Sequence, residues 1–75
     1  MPEGLAEYLH DNFAKLDRIF TILFEMFKTK KDVFDWLGRP HPDLGDRRPI
    51  NVIMFDREMD AVLTILENAI AGIPN

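Results

Sequence analysis

Apolar residues recur along the first third of the chain at helical spacing. Leu9, Leu16 and Leu23 are seven apart, and so are Phe13, Phe20 and Phe27. Interleaved, the two series step by four and three, the rhythm of a packed helical seam. Glu7, Asp11, Lys15, Arg18, Glu25 and Lys28 supply the wetter face. The pattern predicts one long helix from Gly4 to Lys28, a rod of about 40 Å at 1.5 Å per residue. Tyr8, Ile19, Ile22, Phe24 and Met26 lie off the main seam. A helix apolar on more than one side meets more than one neighbour. The seam formed by Leu9, Phe13, Leu16, Phe20, Leu23 and Phe27 therefore serves either the chain's own core or a homo-oligomer.

After this helix the pattern is set by punctuation. Thr29 is placed to cap a short second helix, Lys30 to Leu37, by accepting from the Asp32 N–H, with Asp32 able to answer in a capping box. Gly38 is expected to end that helix in a left-handed conformation. Arg39 to Arg48 reads as a loop, with Pro42-Asp43 at the centre of a type I turn and Gly45 in a conformation other residues resist. Pro49 suits the first turn of a second short helix through Ile50, Val52, Ile53 and Met54, followed by Phe55 as a hydrophobic staple. Asp56 is expected to cap the last helix. Its amphipathic stripe is Met59, Val62, Leu63, Leu66, Ala69, Ile70 and Ile73, closed by Gly72 and Pro74. The expected fold is all-α: a small helical domain with one long N-terminal helix, two short helices and one C-terminal amphipathic helix. Residues 1–75 read as one domain, with residues 1–28 as the long helix and 29–75 as the remaining core.

Length sharpens this picture. A chain of 75 residues buries only about 60% of its unfolded surface, so a surplus of apolar residues points to a partner. The net charge of −4 argues against nucleic acid, whose binding rests on Lys and Arg neutralising phosphates. Lys28, Lys30 and Lys31 are the local exception and are expected to complement the dipole at a helix end. No apolar run approaches the roughly 20 residues that span a bilayer, and the acidic Met1-Pro2-Glu3-Gly4 start does not read as a signal peptide. Absence of Cys fits a cytoplasmic location.

The chemical inventory argues for binding over catalysis. The chain has no Ser and no Cys, three Thr and two His, so neither a Ser-His-Asp nor a Cys-His site can be assembled. No catalytic, cofactor-binding or metal-ligating residue is assigned. Asp43, Asp46 and His41 share a loop, but solvated turn carboxylates are commoner than ligands. His41-Pro42-Asp43 matches the tripeptide of J-domain co-chaperones, yet its flanking residues do not, and a tripeptide alone carries little weight.

One arrangement is more specific. Trp36-Leu37, Pro40, Leu44-Gly45 and Pro49-Ile50, followed by an amphipathic helix with Val62 and Leu66 that closes at Gly72, resemble the toxin-binding domain of Xre/MbcA/ParS-type antitoxins. The resemblance runs from about Phe20 to the C-terminus. Asp46 stands where the family usually has a second Gly, and Asp56-Arg57-Glu58 where it usually has a Gly before the last helix. The first 28 residues are too few for a helix-turn-helix domain beside the first helix. The resemblance implies an antitoxin that binds a RES-domain, NAD-consuming toxin and blocks its active site, often with the C-terminal region. On that basis Trp36, Leu37, Pro40, Leu44, Gly45, Pro49 and Ile50 are expected to be structural. Glu67, Asn68, Ile73, Pro74 and Asn75 are the first partner-binding candidates, with Arg39, Arg47 and Arg48 behind them. The alternative is a homo-oligomeric adaptor module without a toxin.

Overall fold

The computed structural model describes residues 3–72. Five α-helices follow in order: α1 (Leu5–Asp11), α2 (Phe13–Met26), α3 (Lys30–Gly38), α4 (Pro49–Met54) and α5 (Met59–Ala71), with a 3-10 turn at Pro42–Leu44 before α4. Among the described residues there is no strand, only an isolated antiparallel bridge between His41 and Arg47. The all-α class is as the pattern predicts.

The single long N-terminal helix is not what forms. The chain breaks at Asn12, whose backbone leaves helical geometry at φ −112° and ψ 21°. The Tyr8 carbonyl accepts from both the Asn12 backbone N–H, at 3.0 Å, and the Asn12 side-chain amide, at 2.9 Å. An Asn side chain that bonds nearby backbone offers the chain an alternative to the helix ladder. At its other end α2 stops at Met26, and Phe27 is extended.

Packing follows the apolar stripes. α2 lies chiefly against α5, while α4 packs on both α3 and α5. The core takes Ile19, Ile22 and Leu23 from α2, Val33 and Leu37 from α3, Leu44 from the 3-10 turn, Val52 and Ile53 from α4, and Met59, Val62 and Leu66 from α5. No polar or charged side chain is buried among the described residues, so the core is held by apolar burial alone, at about 25 cal/mol per Å². The seven-residue seam divides: Leu23 is fully buried, Leu9, Leu16, Phe20 and Phe27 pack at the core's edge, and Phe13 is 66% exposed.

α1 is docked to the start of α5. The Tyr8 hydroxyl accepts from the Met59 backbone N–H at 3.1 Å, capping one of the orphan donors of α5 from a distant point in sequence. Arg57 lies over the Tyr8 ring, 5.9 Å from its centroid, and donates to the Glu3 carbonyl.

Local caps match the sequence in part. Thr29 Oγ1 accepts from the Asp32 N–H at 3.2 Å, without the reciprocal arm of a capping box. Gly38 does not form a left-handed cap: it stays helical and Arg39 ends α3 in an extended conformation, ψ 136°. The ring of Pro40 explains this, because a residue before Pro is driven out of the helical region. Asp56 does not cap α5; Glu58 occupies that position without a side-chain bond. Phe55 is no staple, since it is 63% exposed. The lysines also sit differently from expectation. Lys30 and Lys31 open α3, at the positive end of its dipole, where added positive charge is unfavourable.

Candidate functional site

The residues between Trp36 and Glu58 build one end of the molecule. Pro42 opens a turn in which the Leu44 N–H donates to the His41 carbonyl at 3.0 Å, as a type I turn requires, and the Asp46 N–H donates to the same carbonyl at 3.0 Å. The His41 N–H returns to the Arg47 carbonyl at 3.1 Å. His41 Nδ1 accepts from the Asp43 N–H at 3.1 Å, and its ring meets Trp36 edge-on with centroids 5.9 Å apart. Trp36 is half-buried.

Gly45 and Asp46 are consecutive left-handed residues, φ 66° and 61°. Arg57, at φ 57°, is the other non-glycine residue of this kind among those described. Left-handed backbone costs an L-residue about 1–2 kcal/mol. Both strained positions fall where the antitoxin pattern carries glycine.

Arg47 ties the two strained segments together. Its Nε donates to the Leu44 carbonyl at 2.7 Å. Its Nη1 donates to Asp56 Oδ2 at 3.0 Å and also to Glu58. The Glu58 hydrogen bond raises the pKa of the guanidinium, partial desolvation opposes the rise, and Asp56 reinforces it. Arg47 is therefore a fixed positive strut between the turn and the α4–α5 connection.

Beside this strut lies an open groove of about 580 Å³, lined by Pro40, Asp46, Arg47, Arg48, Asn51, Phe55 and Asp56. Arg48 is exposed at the start of α4. Phe55 stands at the end of α4 with most of its ring open to solvent. The groove combines an aromatic side chain, an amide and charges of both signs, equipment for gripping a polypeptide surface. Among the described residues no group of three or more His, Asp or Glu side chains could hold a metal ion, and no helix is long and apolar enough to cross a membrane.

Of the residues singled out in sequence, Leu37, Leu44 and Pro49 are buried, Trp36 and Ile50 are half-buried, and Pro40 and Gly45 are exposed. Arg47 and Arg48 come together at the groove; Arg39 is exposed at the end of α3. Glu67 and Asn68 do not line it. They lie on the exposed side of α5, where Glu67 pairs with Arg18 of α2 at 3.7 Å. Ile73, Pro74 and Asn75 lie outside the described residues. Sequence reasoning missed Asn51 and Phe55 as groove residues. Phe55 was expected as a hydrophobic staple; it stands instead at the C-cap of α4, 63% exposed.

The described residues form a small all-α domain with an open groove of mixed character at the α4–α5 connection. Residues 23–72 match the antitoxin Xre/MbcA/ParS C-terminal toxin-binding domain. The chain belongs to that family, and a toxin-binding domain implies a protein partner. No curated protein and no solved structure matches the chain.

Proposed function

We propose that this chain is an antitoxin that binds a RES-domain, NAD-consuming toxin and occludes its active-site cleft. The carrying observation is the family match over residues 23–72, which takes in the groove and all of α5. The protein acts by occupation and needs no cofactor. A cleft that binds a dinucleotide phosphate is positive, and a chain of net charge −4 is steered toward it. We assign the contact to the exposed edge of α5 at Glu67 and Asn68, continuing into Ile73, Pro74 and Asn75, with Arg39 and Arg48 as a second point of attachment. Arg47 already spends its donors within the chain and acts by shaping the groove. The site of action is the cytoplasm, where NAD is consumed.

The test is co-expression with a RES toxin. Cellular NAD is expected to hold and growth to resume. Deleting Ile73 to Asn75 should weaken neutralisation more than folding. NAD that falls equally with and without this protein would sink the proposal.

A further inference from the structure

We propose that α1 positions the wall of the groove, with Tyr8 and Arg57 as the positioning residues. The proposal does not rest on the identity of the partner. It concerns an element outside the family match, which begins at residue 23, whereas α1 spans Leu5–Asp11.

The wall belongs to the connection between α4 and α5, where Phe55 and Asp56 line the groove. Along this connection the contacts alternate. Asp56 and Glu58 turn to Arg47, the strut of the groove. Arg57, between them, turns away: its Nη2 donates to the Glu3 carbonyl and its guanidinium lies over the Tyr8 ring. One residue further on, the Met59 N–H donates to the Tyr8 hydroxyl at 3.1 Å. Four successive residues are thus held in turn by the strut and by α1 or the turn before it.

Each half depends on the other. Arg57 reaches α1 from a left-handed backbone, φ 57°. That conformation resists a side chain with a Cβ and persists only where neighbours impose it. Gly4 lets the guanidinium close in, since Arg57 Nη1 is 3.3 Å from where a Cβ on residue 4 would stand. α1 in turn has few apolar anchors. Its seven residues are too short for a stable helix alone. Its buried Leu5 stands outside the main core cluster, and only Tyr8 and Leu9 reach that cluster's edge. Coupling between two sites is reciprocal. A partner seated against Phe55 and Asp56 therefore tightens α1, and release of α1 loosens the grip of Arg47 on the wall.

Hydrogen exchange at the Arg47 Nε–H and the Met59 amide, followed by NMR in the intact chain, is the test. Arg57→Gly keeps the left-handed backbone and removes the guanidinium. Tyr8→Phe keeps the ring and removes the hydroxyl. Each should speed exchange at the Arg47 Nε–H several-fold, although that group donates to the Leu44 carbonyl and to neither residue. The amide of the buried Ile22 should keep its wild-type rate. In the other direction, Arg47→Gln should speed exchange of the Met59 amide several-fold against the same reference. Arg18→Ala, which removes the pair with Glu67 on α5, should change neither rate. An Arg47 Nε–H rate that stays at the wild-type value in either Tyr8→Phe or Arg57→Gly overturns the proposal. So does a rate that rises equally in Arg18→Ala, or only in step with Ile22, because that reports a weaker fold and not a clamp. A Met59 amide indifferent to Arg47→Gln overturns it as well.

Discussion

The α1–α2 arm and the Arg39–Glu58 end use their sequence in opposite ways. The arm is periodic, rich in Leu and Phe, and carries more apolar residues than the core absorbs: Phe13 and Phe24 remain outside. The other end has little periodicity. Its form comes from Pro42, Gly45 and Pro49, from two left-handed non-glycine residues, and from Arg47 reaching Leu44, Asp56 and Glu58. Periodicity reports which residues are apolar but not how many sides will be covered. Punctuation reports where the chain turns, and it does so whatever packs nearby.

Truncating the core tests whether the two regions share one fold. Ile22→Ala in α2 and Leu37→Ala in α3 should each cost about 2–5 kcal/mol. Both should shift a single urea transition seen by the Trp36 fluorescence and by circular dichroism alike. Separate transitions would mean that the arm and the motif end are independent units. Next in size is Tyr8→Phe, which leaves the Met59 N–H of α5 without its acceptor. A loss of about 1–3 kcal/mol is expected, with faster amide exchange at the start of α5. An unchanged exchange pattern would show that the arm is held by burial alone. The smallest effect is Asp46→Gly, which relieves left-handed strain and should stabilise by at most about 1 kcal/mol. A measured loss would show that the Asp46 side chain contributes more than its backbone costs.

The legible part of the fold was the local part. Thr29 caps α3, Pro49 opens α4 and Gly45 turns left-handed, because each depends on the chemistry of a few neighbouring residues. The break at Asn12 was not legible, because an Asn within a periodic run reads as an ordinary solvated position until its amide finds the Tyr8 carbonyl. Asp56 looked like a cap because only its own neighbours were in view; Arg47, nine residues earlier, takes its carboxylate instead. The groove was half legible. Arg47 and Arg48 were among the candidates, but Asn51 lay within an apolar helix and Phe55 was read as a staple.

The sequence alone determined an all-helical chain, the cap at Thr29, the left-handed turn at Gly45, the start of α4 at Pro49 and, through the Trp36-to-Ile50 pattern, the antitoxin family. Tertiary structure decided which apolar residues are spent on the core and which are left over, and which carboxylates meet Arg47. The reason is physical. Helix propensity, caps and turns act over a few residues, whereas burial and ion pairing are settled by neighbours that the chain meets only after it has folded.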